Sequence, residues 1–253
     1  MTALVVLLGH GIAYSASPAM HNAAFEALRL DARYELRDVG AAELPAEVGA
    51  LHAADGMGAN VTKPHKVAVC ELVDELGPEV RRLGAANTIV RSGDRLVARN
   101  TDLPALRAEL PPGVRHAVIL GAGGASRAAV DALLAAGCED VVVIDRARWA
   151  SIPEALMTAD LLVNATTIGT DSDETPVPAD LLRPEMAVLD LVYRPSPSRL
   201  VRDARAAGAR ARGGASMLLR QAALSFSLWT DREAPIDVMR DALRRELRAG
   251  SHA

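Results

Sequence analysis

Short apolar runs alternate with helix-length segments along the whole chain, the pattern of an α/β protein. In the N-terminal part, residues 4–8, 34–39 and 58–61 read as strands and 18–28 and 43–52 as helices, and a further helix is expected after Pro64. Residues 88–90 and 96–98 flank Ser92-Gly93-Asp94 and read as a hairpin. A helix over 101–109 stops before Pro111-Pro112-Gly113. Beyond it come a strand at 117–120, a glycine-rich turn, a helix over 126–136 closed by Gly137, and a strand at 141–144. Residues 161–164 and 188–191 continue the same sheet, and helices over 217–228 and 236–249 finish the chain. The expectation is two α/β domains. One covers 1–101 and is completed by C-terminal helices within 222–253; the other covers 102–221.

Composition narrows the partners. Half of the 253 residues are apolar but only 3% are aromatic, so the cores must be built from Ala, Val and Leu. A net charge of -4 with no basic stretch gives nothing to track phosphates, so no nucleic-acid partner is expected. No run approaches the roughly 20 apolar residues of a membrane span, and residues 3–8 are too short and lack the basic lead of a signal peptide. Cys70 and Cys138 stand alone without metal-ligand spacing, as reduced thiols of a cytoplasmic protein would, and no metal site is expected. Residue usage is more telling. The only lysines are Lys63 and Lys66, the only asparagines Asn22, Asn60, Asn87, Asn100 and Asn164, and the only glutamine Gln221. Arg cannot release its proton in a protein and Lys can, so a chain this poor in lysine has kept both within Lys63-Pro64-His65-Lys66.

Gly121-Ala122-Gly123-Gly124-Ala125-Ser126 lies between a buried strand and a helix. Glycines there let the backbone approach a pyrophosphate, and the helix N-terminus offers free N–H groups to it. Ser126 occupies the third glycine position. Asp145 ends the next strand, where an acidic residue would meet the adenosine ribose. The stretch from Asp145 to Asp160 is too short for a full helix and strand, so a shortened segment is expected there. In Ser15-Ala16-Ser17-Pro18, Ser17 reads as a helix N-cap with Pro18 at the first helical position, and two hydroxyls there suit a small carboxylate.

The segments from Ser15 to Phe25, Asn60 to Lys66, Gly84 to Thr88, Asn100 to Asp102, Gly121 to Arg127, Asp160 to Thr166, Asp190 to Pro195 and Met217 to Gln221 resemble the shikimate dehydrogenase family, in order and across nearly the whole chain. The resemblance implies an N-terminal substrate domain, a Rossmann-like dinucleotide-binding domain, and interconversion of 3-dehydroshikimate and shikimate in aromatic amino acid biosynthesis. It implies Lys66 and Asp102 as the catalytic pair. Ser15, Ser17 and Tyr193 would hold the ring carboxylate, and Asn60, Thr62, Asn87 and Gln221 the ring hydroxyls. For the cofactor it implies Gly121, Ala122, Gly123, Gly124, Ala125, Ser126, Asp145, Arg146 and Thr166, with Met217 beside the nicotinamide. Ketone reduction by hydride leaves an alkoxide that needs a proton, which an ammonium held by a carboxylate can give. Lys63 is expected to face solvent.

Three departures stand out. Asp145-Arg146-Ala147-Arg148 replaces the Asn-Arg-Thr pattern that holds the 2′-phosphate of NADP, Pro104-Ala105 replaces a glycine that usually follows Asp102, and Ser216 a glycine before Met217. NADP is the expected cofactor, with NAD as the alternative. Quinate or an amino analogue of shikimate is the alternative substrate, and a ring-acid-binding protein without turnover the alternative of another class. A monomer or homodimer is expected.

Overall fold

The apolar run near the start forms β1 (Ala3–Gly9), the middle of a parallel layer in a computed structural model that describes residues 2–53 and 55–249. It is followed by α1 (Ser17–Ala27), β2 (Ala32–Asp38), α2 (Leu44–Ala50) and β3 (Gly56–Val61). Both β2 and β3 pair parallel with β1, as βαβ connections require. Then come β4 (Glu75–Leu76), α3 (Pro78–Leu83) and the hairpin of β5 (Thr88–Ser92) and β6 (Arg95–Arg99). The sheet runs β2-β1-β3-β5-β6-β4, with β5 antiparallel to β3 and β6. One face buries Val6, Leu8, Val61, Ile89 and Leu96.

The chain divides at Asp102 into two compact units, the first running to Thr101 and taking back Leu219–Glu246. The second begins with α4 (Asp102–Arg107), β7 (His116–Leu120), α5 (Gly124–Ala135) and β8 (Asp140–Ile144). After β8 the chain makes only a 3-10 helix, Arg146–Ser151, and the short α6 (Ile152–Leu156) before β9 (Leu161–Asn164). β10 (Ala187–Asp190), α7 (Arg199–Ala206) and β11 (Arg210–Arg212) complete an all-parallel sheet ordered β11-β10-β9-β7-β8. In a full doubly wound sheet a further strand would lie outside β8. Here the shortened segment crosses straight to the other side of β7, leaving β8 at the edge. The last helices are α8 (Ala215–Thr230) and α9 (Ile236–Ala249); the end of the expected C-terminal segment, 250–253, lies outside the described residues.

Two sequence expectations need correction. The N-cap of α1 is Ala16, not Ser17, and no side chain caps it; Ser17 is already helical. No α-helix follows Pro64. Residues 63–67 form tight turns leading to a single 3-10 turn, Ala68–Glu71. The Lys66 carbonyl, which an α-helix would offer to the N–H of residue 70, instead accepts from Ala86 N–H at 2.8 Å, and Cys70 N–H turns to Val67. The pattern also did not reveal β4, α3, α6, α7 and β11, all short.

Candidate active site

The C-terminal ends of β1, β2 and β3 hold the turn that carries Thr62 and Lys66. Thr62 N–H donates to the Leu8 carbonyl at 2.9 Å, and His10 N–H to the Lys63 carbonyl at 3.1 Å. The ring of buried His65 donates through Nε2 to the Val39 carbonyl at 2.7 Å. With the Lys66 carbonyl tied to Ala86, all three parallel strands and the start of β5 fix one short turn. Gly9 makes this approach feasible: a Cβ there would lie 2.4 Å from Thr62 Cγ2 and 2.6 Å from Ile12 Cγ2. Lys66 is half-buried. Lys63 is exposed, as expected, and its ammonium lies over the Tyr14 ring, 5.5 Å from the centroid. Ser15 and Ser17 sit just beyond the β1 loop, where Ser15 Oγ accepts from Ser17 N–H at 3.3 Å.

A second constellation, buried within the first unit, joins three of the expected substrate residues. Asn87 Oδ1 accepts from Thr101 N–H at 2.7 Å, and its Nδ2 donates to Thr101 Oγ1 at 2.9 Å and Gln221 Oε1 at 3.4 Å. Asn60 Oδ1 accepts from the Tyr34 hydroxyl at 2.8 Å. Its Nδ2 faces the Asn87 carbonyl, Thr88 Oγ1 and Ser225 Oγ at 3.1, 3.2 and 3.0 Å. Sequence reasoning missed Tyr34, Thr88 and Ser225. The available signals were that Tyr34 is one of only three tyrosines and that Ser225 stands four residues after Gln221, on the same helical face.

In the second unit the glycine-rich turn has the geometry of an anion cradle. Gly121 has a φ of +103°, and a Cβ on it would meet the Ala165 carbonyl oxygen at 3.0 Å and Thr166 Cγ2 at 3.3 Å. Gly123 is the N-cap of α5 and provides no side-chain cap, and a Cβ there would meet nothing within 4 Å. The first N–H groups of α5 are thus not covered by a capping side chain. Ser126, small and buried, lets α5 pack on the sheet as a glycine would. The residues present therefore fit a pyrophosphate.

Asp145 is exposed and caps the 3-10 helix after β8, accepting from Arg148 N–H at 3.1 Å; Arg146 and Arg148 are exposed beside it. Thr166 uses its hydroxyl within its own turn, donating to Asn164 Oδ1 at 2.7 Å and accepting from Ile168 N–H at 3.1 Å. Asn164 is held by Asp190 Oδ1, 2.9 Å from its Nδ2. Burial pushes the Asp190 carboxyl up, against hydrogen bonds from Ser198, Val192 N–H and Asn164 that favour its ionised form. Tyr193 is half-buried and Met217 buried.

The structure thus gathers Asn60, Asn87 and Gln221 in one network, Thr62 and Lys66 in one turn, and Ser15 with Ser17. Asp102 opens α4, and Tyr193, Met217 and the cofactor residues also belong to the second unit.

The family model for the shikimate dehydrogenase substrate binding domain matches residues 7–89, and that for the shikimate 5'-dehydrogenase C-terminal domain matches 214–244. A Moorella thermoacetica protein named shikimate dehydrogenase (NADP(+)) is 40% identical, over 99% of this chain and 95% of its own. A Methanopyrus kandleri protein of the same name is 41% identical, over 98% of this chain and 97% of its own. The crystal structure of shikimate 5-dehydrogenase from Thermus thermophilus, in complex with NADP(H) and shikimate, superimposes with a TM-score of 0.86 at 39% identity, covering 97% of this chain and 100% of that one.

Proposed function

The chain belongs to the shikimate dehydrogenase family, and from that membership we propose how its own residues carry the reaction. It is an NADP-dependent oxidoreductase that interconverts 3-dehydroshikimate and shikimate. The observation that carries this reading is a likeness to shikimate dehydrogenases that extends over both units.

Bound NADP(H) supplies or takes up the hydride. The turn from Gly121 to Ser126 would hold its pyrophosphate on the N-terminus of α5. Lys66 would act as general acid: its ammonium gives a proton to the ketone oxygen as that carbon is reduced, and solvent restores it. In the direction of oxidation the neutral amine takes the hydroxyl proton. Asp102 would pair with Lys66 and orient it. Ser15, Ser17 and Tyr193 would bind the ring carboxylate, and Asn60, Thr62, Asn87 and Gln221 the hydroxyls. The pinning of the 62–66 turn by three strands supports this, because general acid catalysis needs a donor held within hydrogen-bond reach of the reacting oxygen. Cys70 and Cys138 are both thiols, which suits the reducing cytoplasm.

The test is turnover followed at the reduced-nicotinamide absorbance band, with shikimate and quinate each paired with NADP and NAD. Shikimate with NADP should give the highest kcat/KM. Ring-acid binding without turnover in any pairing would replace the enzyme with a binding protein, and faster turnover of quinate would change the substrate.

A further inference from the structure

Asn60 and Asn87 are both amides, and an amide can present either its oxygen or its nitrogen to a ligand; only its surroundings decide which. Asn87 is decided by the backbone. Its Oδ1 receives the N–H of Thr101, a group that can only donate, so Nδ2 must point to Thr101 Oγ1 and Gln221 Oε1. Asn60 lacks such an anchor at its oxygen, which meets a phenolic hydroxyl able to donate or accept. Its orientation therefore depends on the nitrogen end, where the Asn87 carbonyl can only accept and two hydroxyls complete the set.

Ser225 is the common member of that set. Its Oγ lies 3.0 Å from Asn60 Nδ2, 2.9 Å from Thr88 Oγ1 and 3.1 Å from Thr101 Oγ1, and the residue is fully buried. Thr88 Oγ1 lies 3.1 Å from Asn87 Oδ1 and donates to it, which leaves that hydroxyl an acceptor towards Asn60. One hydroxyl on α8, a single turn beyond Gln221, thus links the backbone-fixed Asn87 side to Asn60, whose nitrogen end is otherwise held by the Asn87 carbonyl and Thr88 Oγ1 alone. We propose that Ser225 is a positioning residue that holds the Asn60 amide in the orientation the Asn87 carbonyl dictates, and through it the recognition of the substrate's ring hydroxyls. This rests on the reading that Asn60 and Asn87 face the ring.

The test compares Ser225→Ala, Tyr34→Phe, their double variant and Asn87→Ala by steady-state kinetics with shikimate and NADP, with melting temperatures as the fold control. Ser225→Ala should raise the KM for shikimate about 3- to 10-fold, the scale of one lost hydrogen bond, and leave the KM for NADP unchanged. It should also narrow the discrimination between shikimate and analogues lacking one ring hydroxyl. Tyr34→Phe releases the same amide from its other end and should act in the same direction. The double variant should lose less than the product of the two, since both free one amide. If Ser225→Ala does not fold, Tyr34→Phe alone must raise the KM for shikimate selectively. Folded variants with unchanged KM, equal losses for both substrates, or effects that simply multiply would overturn the proposal. An Asn87→Ala variant with unchanged KM would instead remove the reading beneath it, and this inference with it.

Discussion

His21 lies flat against Tyr34, the two ring centroids 4.5 Å apart with planes 11° apart, and neither ring nitrogen of His21 has a hydrogen-bond partner among the described residues. The residue is fully buried, and burial pushes its pKa down to about 3. In the unfolded chain it returns to about 6.5. Between those values the unfolded state binds a proton that the folded state does not. This contribution to stability is therefore complete above about pH 6.5 and falls away as pH drops towards 3, by about 2 kcal/mol at pH 5. His21→Phe keeps a flat ring and removes the titration. Urea unfolding at pH 7 and pH 5 should show the variant losing less stability on acidification than the wild type. Equal losses would mean that His21 finds a partner or protonates in place.

The two serines at the start of α1 should separate in a way the sequence did not suggest. The capping pattern pointed to Ser17, but Ser17 is helical and Ser15 Oγ holds its N–H. Ser15→Ala should therefore cost about 0.5–1.5 kcal/mol of stability, and Ser17→Ala less, while both raise the KM for shikimate. Thermal or urea unfolding decides it. A larger stability loss from Ser17→Ala would restore the capping role.

Cofactor choice turns on Asp145. Its carboxylate stands exposed at the end of β8, where it would accept from a free 2′-hydroxyl and repel a 2′-phosphate. Arg146 and Arg148 oppose that repulsion with guanidinium groups suited to phosphate. We expect kcat/KM for NADP to exceed that for NAD by no more than about tenfold, or about 1.4 kcal/mol. Asn also caps well, so Asp145→Asn should preserve the 3-10 helix and shift the ratio further towards NADP. A wild-type preference above about a thousandfold would place Asp145 away from the ribose.

The strands and the dinucleotide turn were legible in the sequence because their signals are local. The buried run of β1 and the glycine at 137, with a φ of +87°, read directly as strand and helix stop. The turn after Pro64 was not legible, since its form depends on the Lys66 carbonyl meeting Ala86, a contact between segments. Ser225 was hidden for the same reason: one serine among many becomes informative only when Thr88, Thr101 and Asn60 converge on it. α7 went unseen because its apolar stripe, Leu200, Val201 and Ala204, spans only eight residues, shorter than the window over which helical periodicity is read.

The proton step is tested most directly by kcat for shikimate oxidation with NADP in Lys66→Arg, set beside Lys63→Arg and the wild type. Arg keeps the positive charge but cannot exchange the proton. Lys66→Arg should lower kcat about 10²-fold or more, the scale of general acid–base catalysis, with little change in KM. Lys63→Arg should remain close to wild type, because an arginine can also lie over the Tyr14 ring. A Lys66→Arg enzyme that keeps most of its kcat, or a Lys63→Arg enzyme that loses it, would contradict the assignment of Lys66 as the proton donor.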